Sequence, residues 1–251
     1  MEEKTEKTNK WVFANLGENI SKQIWEIGQA YADRFKGKEG RLPHINSHPM
    51  QLLKYWYFLY LTGSRLMEPV LEPPTIAITN EGGKVWVQIT KVNEKHKSID
   101  GTAREMIDQV FPVFNEWEQK MWVLITDGGL ALSASEIFRF QEWKSIKKEN
   151  LSCLIKTNFR ADLRDTRGKL HRESGITPHI LRHMRAFSVV VNYGVEVPLV
   201  VKWFGWTDQR MLYYYAHIRT KLSTRNQVEM LKRSNMLTNL PIDLGKSISA
   251  Y

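Results

Sequence analysis

Thr177-Pro178-His179-Ile180-Leu181-Arg182-His183 is the stretch on which the reading of this chain turns. Thr177 suits an N-cap, because its hydroxyl can accept from an amide of the first turn, and Pro178 suits the first helical position, where no backbone donor is needed. A helix therefore starts here. His179 and Arg182, three residues apart, stand side by side on its first turn. The positive end of the helix dipole reinforces both, which makes an anion pocket. Ile180, Met184, Phe187 and Val191 offer an apolar face to a core, and Tyr193-Gly194 ends the helix. Pro198 opens a short apolar helix that stops at Gly205-Trp206. Thr207-Asp208 then caps another, which carries Tyr213-Tyr214-Tyr215-Ala216-His217.

Upstream, Met50 to Leu61 reads as a strongly apolar helix closed by Thr62-Gly63, followed by a short helical turn, Arg65-Leu66-Met67-Glu68-Pro69, that Pro73-Pro74 stops. Thr75 to Thr79 and Lys84 to Thr90 alternate apolar and polar residues around Asn80-Glu81-Gly82-Gly83, the pattern of a β-hairpin. Lys91 to Lys97 is expected to form the next turn and Ser98-Ile99 a short third strand. From Thr102 onward the pattern is mainly helical, with segments at 102–118, 133–142, 150–163, 178–193, 197–204, 208–217 and 222–236. The fold class is mainly α with a small antiparallel sheet, an α+β arrangement. Residues 1–45 read as a charged helix (Ile20 to Phe35) and linker (Lys36-Gly37-Lys38-Glu39-Gly40), 46–221 as the main domain, and 222–251 as a helix and tail.

A chain of 251 residues with 42% hydrophobic and 25% charged residues has the composition of a globular protein with a sizeable core. Charge, Gly or Pro interrupts each apolar stretch before membrane-spanning length. The charged N-terminus has no apolar signal region, and Cys153 stands alone, so neither a disulfide within the chain nor a cysteine-based zinc site is possible. A cytoplasmic, nucleoid-associated location is expected. The net charge of +9 favours a polyanionic partner, because neutralising phosphates releases counterions. Between Lys144 and Arg185 eleven basic residues face four acidic ones. Lys144, Lys147, Lys148, Lys156, Arg160, Arg164 and Arg167 are the candidates there for contacts with double-stranded DNA, although a solvated basic face without a ligand gives the same count. No His, Asp and Glu grouping has convincing metal-ligand spacing, and no glycine-rich phosphate loop is visible.

The order of these features resembles the tyrosine recombinase, or phage integrase-type, family. That family's second box is His-x-x-Arg-His, then Gly followed by His or Trp, then a tyrosine nine residues on. This chain has His179-Ile180-Leu181-Arg182-His183, Gly205-Trp206 and Tyr215 at those spacings. The family's first box, Thr-Gly-x-Arg-x-x-Glu, appears as Thr62-Gly63-Ser64-Arg65-Leu66-Met67-Glu68, also between a helix and a hairpin. The resemblance covers residues 48 to 220 or so. Five positions in the correct order are specific where either box alone is weak.

The resemblance implies metal-free cleavage of DNA. Tyr215 would attack phosphorus and leave a 3′-phosphotyrosine and a free 5′-hydroxyl, with no cofactor, because the phosphotyrosine conserves the bond energy. Arg65 and Arg182 would hold the non-bridging oxygens. His179 would add a third donor or help remove the tyrosine's proton. Trp206 can donate one hydrogen bond and exchanges no proton at neutral pH, so it would position and pack. The general acid would be a hairpin lysine: Lys91 by ungapped comparison, Lys95 or Lys97 if the loop shifts. Glu68 would position Arg65, with His183 and His217 in support. The bland readings are a tyrosine cluster packed on a helix surface, with Tyr214 as rival nucleophile, an Arg65–Glu68 pair that merely caps, and His179 and Trp206 as core residues. By resemblance four protomers would synapse two duplexes, with the tail from Asn226 docking on a neighbour. Family members usually carry a further N-terminal DNA-clasping domain, so a catalytic fragment of a longer integrase, or a minimal clamp, is expected. The alternatives are a type IB topoisomerase-like enzyme, a catalytically silent DNA-binding protein of the same fold, or an unrelated basic helical binding module.

Overall fold

The computed structural model describes residues 20–36, 49–72, 74–97, 104–126, 148–159, 163–164, 170–171 and 176–206. At its centre lies α2 (Pro49–Thr62), buried on nearly every side from Leu52 to Thr62. A helix that is apolar all round has to be enclosed. Three helices pack against it: α1 (Ile20–Asp33), α4 (Glu116–Ile125) and α6 (Pro178–Phe187). Helix α1 buries Ile20, Ile24, Gly28 and Tyr31, one stripe at three- and four-residue spacing. A Cβ on Gly28 would overlap the Tyr57 ring, and the Tyr57 hydroxyl donates to the Trp25 carbonyl at 2.9 Å. α1 is thus seated directly on the central helix.

The first box leads from α2 into the single turn α3 (Glu68–Leu71) and then to a three-stranded antiparallel sheet in the order β1 (Thr75–Glu81), β2 (Lys84–Lys97), β3 (Arg104–Pro112). Glu81 pairs with Lys84 across the Gly82-Gly83 turn, as the hairpin signal requires. The second strand runs on through the expected turn, so Lys91 sits within β2, paired with Ile107, and not in a loop. The third strand is also displaced from its expected place. Ser98-Ile99 lies outside the described residues, and the segment read as a helix over 102–118 is instead β3 followed by α4. Within β3, Ile107, Gln109 and Phe111 are buried and their neighbours are not. That period of two follows from pairing with β2, which outweighs the helical preference of Glu105, Met106 and Gln109.

Beyond the sheet, Asn115 caps α4 by accepting from the Glu118 amide at 2.9 Å. Helix α5 (Lys148–Asn158) ends before the expected residue 163, and Leu163–Arg164 (β4) pairs with Leu170–His171 (β5) in a small ribbon. Helix α6 starts as its cap predicts, with the Thr177 hydroxyl accepting from the Ile180 amide. It widens into a π-helical turn (Ser188–Asn192) before Tyr193-Gly194. Helix α7 (Val197–Phe204) packs on β3 and ends at Gly205. The expected helices at 133–142, 208–217 and 222–236 lie outside the described residues. No described helix is long and apolar enough to cross a membrane.

Candidate active site

The two boxes meet where the C-terminal ends of α2 and α7 converge above β2 and β3. Gly63 ends α2 with a φ of 58°, and a Cβ there would overlap the Phe204 ring. Gly205 ends α7 with a φ of 56°, and its Cβ would lie 2.5 Å from Ile107 Cδ1 and 2.8 Å from Asn93 Nδ2. Only glycine combines that left-handed turn with so close an approach. The two motif glycines are therefore what allow the boxes to touch.

Glu68 lies at the centre of the charged cluster and is fully buried. One carboxylate oxygen accepts from Arg65 Nη1 at 2.9 Å. The other accepts from the Arg65 amide and from Lys91 Nζ, each at 3.0 Å. Burial pushes this carboxyl up, but Lys91, Arg182 and Arg65 together outweigh it and hold it below the ordinary value. Lys91 Nζ also donates to the Ser64 hydroxyl at 2.9 Å. Burial lowers the Lys91 ammonium to about 8, with Arg182 and Arg65 in the same direction and Glu68 against. Sequence assigned Glu68 to Arg65 alone; in the fold it also positions Lys91.

Arg182 is buried beside the junction. Its Nη1 donates to the Gly63 carbonyl and its Nη2 to the Phe204 carbonyl. The guanidinium lies 4.9 Å from the Phe204 ring centre and 5.2 Å from that of Trp206, a cation–π arrangement on both. Trp206 is half-buried and packs on Phe204. One helical turn apart on α6, the rings of His179 and His183 meet edge to face, their Nε2 atoms 2.8 Å apart. Burial, with His179 and Arg182 nearby, lowers His183 to about 4 and keeps it neutral at physiological pH. His179 is exposed at the helix N-terminus.

Arg65, Glu68, Lys91, Arg182 and Trp206 thus gather at one junction, with His179 and His183 on the first turns of α6. Tyr213, Tyr214, Tyr215, His217, Lys144, Lys147, Arg160 and Arg167 lie outside the described residues. For Lys95, Lys97, Lys148, Lys156 and Arg164 only the backbone is described. The sequence reading missed Ser64, Asn93 and Gln109. Asn93 Oδ1 accepts from Arg65 Nη1 at 2.8 Å, and Gln109 Nε2 donates to the Thr62 carbonyl at 3.0 Å and to that of Trp203. The signal for Gln109 was a polar residue at a core position of an alternating strand.

The chain belongs to the phage integrase family, the tyrosine recombinases, whose family model matches residues 38–221. Among solved structures it is similar to the XerH site-specific recombinase bound to difH substrate in a pre-cleavage complex. The identity there is 15% over 78% of this chain and 49% of that one, with a TM-score of 0.42. It is also similar to XerH bound to palindromic difH substrate in a post-cleavage complex, at 13% identity over 86% of this chain and 52% of the other, again with a TM-score of 0.42. The chain therefore spans about half the length of XerH in either complex. No curated protein matches it.

Proposed function

We propose that this chain is the catalytic domain of a site-specific DNA recombinase that cleaves and rejoins strands through a 3′-phosphotyrosine on Tyr215. The Tyr215 oxygen bonds to phosphorus as the bond from phosphorus to the 5′-oxygen breaks. Arg65 and Arg182 hold the non-bridging oxygens, with His179 at the edge of the pocket and Trp206 packed against Arg182. Lys91 gives a proton to the departing 5′-oxygen. An ammonium near 8 suits that task, since a proton donor works best close to the operating pH. A second, incoming 5′-hydroxyl then attacks the phosphotyrosine; as its oxygen bonds to phosphorus the bond to the Tyr215 oxygen breaks, the phenol regains its proton, and the exchanged strand is sealed.

The observation that carries this reading is the joining of two cations from distant segments, Arg65 and Lys91, through one buried carboxylate, with Arg182 at the same junction. Three positive charges around a single negative one leave the cluster ready for another anion, and a phosphodiester is the anion that the family handles. Double-stranded DNA is the partner, and a tetramer on two duplexes, with the tail from Asn226 docked on a neighbour, is the working assembly.

A catalytically silent DNA-binding protein is the second reading. It draws on Arg182, whose two terminal nitrogens both donate to backbone carbonyls, and on Lys91, which is closed off from solvent. One experiment separates the two. Nicked duplex DNA from a candidate site is incubated with the wild type and with Tyr215→Phe, then run on a denaturing gel. An adduct with the wild type and none with Tyr215→Phe is the expected result. An adduct that survives Tyr215→Phe moves the nucleophile to Tyr214 or Tyr213. No adduct on DNA that the chain demonstrably binds establishes the silent reading.

A further inference from the structure

Three polar side chains fill the junction between the boxes by taking up backbone carbonyls. Gln109 donates to Thr62 and Trp203, Arg182 to Gly63 and Phe204, and Asn93 approaches the Gly205 carbonyl at 3.5 Å. Of the two strand residues, Asn93 is the one that also touches Arg65. Its Oδ1 accepts from Arg65 Nη1 at 2.8 Å, while its Nδ2 donates to Glu105 Oε2 at 3.0 Å. The side chain is 1% exposed and lies close against Gly205.

The residue type follows from those neighbours. Arg65 can only donate and the Glu105 carboxylate can only accept, so the group between them must accept on one side and donate on the other. A carboxamide does this. A carboxylate would meet Glu105 with like charge, and an apolar group would leave both partners without this contact. The Glu105 contact also settles which way the amide faces.

We propose that Asn93 is a positioning residue for strand cleavage: it fixes the Arg65 guanidinium relative to the Gly205-Trp206 turn, from which the chain runs on to Tyr215. Asn93 touches no reacting atom and acts through Arg65. This rests on the reading of Arg65 as a phosphate ligand and Tyr215 as nucleophile. A misplacement of about 1 Å in such a group can cost ~10²-fold in rate, and the contact at 2.8 Å leaves little room for drift.

The test uses the full chain on nicked DNA that carries an Rp or an Sp phosphorothioate at the cleaved bond. Single-turnover adduct formation and DNA affinity are measured side by side. Because Arg65 faces one of the two non-bridging oxygens, the Rp/Sp rate ratio reports its placement. Asn93→Ala is expected to slow adduct formation roughly 10- to 100-fold, with DNA affinity nearly unchanged and the Rp/Sp ratio moved toward one. Gln109→Met removes a comparable buried contact without touching Arg65, and its Rp/Sp ratio should match that of the wild type. An unchanged ratio in Asn93→Ala, or adduct formation at the wild-type rate, overturns the proposal. If Asn93→Ala does not fold, Asn93→Asp decides. It should be slow, and Glu105→Gln, which restores a donor opposite the new carboxylate, should recover most of the lost rate. A double variant no faster than Asn93→Asp overturns the proposal. Absence of any adduct with the wild type is a separate outcome, which removes the underlying functional reading.

Discussion

At the scale of single residues, Glu68 has the largest influence on this site. A fully buried carboxylate with one lysine and two arginines around it is stabilised by its surroundings, and the reverse also holds. In Glu68→Gln the three cations face a neutral amide, and breaking a buried pair by removing one partner costs about 3–5 kcal/mol. The denaturation midpoint should fall accordingly. A second effect concerns protons. Glu68 raises the pKa of Lys91 against burial and the arginines, which bring it to about 8. The proposed proton donation by Lys91 requires its ammonium form, so wild-type cleavage should decline as pH rises through about 8. Without Glu68 the ammonium loses its proton more readily, and that decline should begin at lower pH. Cleavage rates measured at saturating DNA from pH 6.5 to 9.5 would show it. Identical alkaline limbs in wild type and Glu68→Gln would exclude Lys91 as the donor.

At the scale of elements, the decisive feature is how α2 and α7 end. Both stop on a left-handed glycine, and each glycine lies against a group from the other side of the junction: Gly63 against Phe204, Gly205 against Ile107 and Asn93. Gly205→Ala should cost about 1–3 kcal/mol in backbone strain alone. Because the added methyl displaces Asn93 or Ile107, cleavage should fall by more than the loss of folded protein accounts for. Parallel thermal melts and single-turnover cleavage would check this, and a variant as stable and as fast as the wild type would refute the close packing. These ends were legible in the sequence, since Thr62-Gly63 and Gly205-Trp206 stop apolar helices and Thr177-Pro178 starts one. Two motifs more than a hundred residues apart also placed Glu68, His179 and Arg182 on the helices that carry them, whereas Arg65, expected within the short helical turn, precedes it. What the sequence hid were features decided by pairing across elements. Arg104 to Pro112 carries good helix formers and becomes a strand because β2 offers a partner. Lys91 looked like a loop residue because the length of β2 is set by β3, which local pattern does not show. Asn93 and Gln109 are ordinary polar residues until the fold places backbone carbonyls and a guanidinium beside them.

At the scale of the whole molecule, a second buried charge cluster holds the helices together away from the junction. Glu118 on α4 accepts from Arg185 Nη1 on α6 at 2.6 Å, from the Tyr193 hydroxyl at 3.1 Å and from the Ser21 hydroxyl on α1 at 3.3 Å. Ser21 in turn meets the Tyr60 hydroxyl of α2 at 2.9 Å. Three helices therefore meet at one carboxylate, with α2 joined to it through Ser21, and α1 is tied to the body there. The Arg185 guanidinium lies 5.4 Å from the ring centres of both Phe111 and Phe114. Nothing in this cluster touches Arg65, Lys91 or Arg182 in the contacts described above, so stability and cleavage should separate here. Arg185→Met leaves Glu118 charged and buried without its ion-pair partner, a loss of about 3–5 kcal/mol. Glu118→Leu combined with Arg185→Met removes both charges and should regain much of that loss, because an apolar pair of similar volume often replaces a buried ion pair at little cost. Urea denaturation of the wild type, the single variant and the double variant supplies the numbers, and the cleavage rate at low temperature supplies the control. An Arg185→Met protein as stable as the wild type would show that the Glu118–Arg185 ion pair contributes nothing to holding α4 against α6. A cleavage rate that collapses while the protein remains folded would show instead that the two charge clusters are coupled through α6.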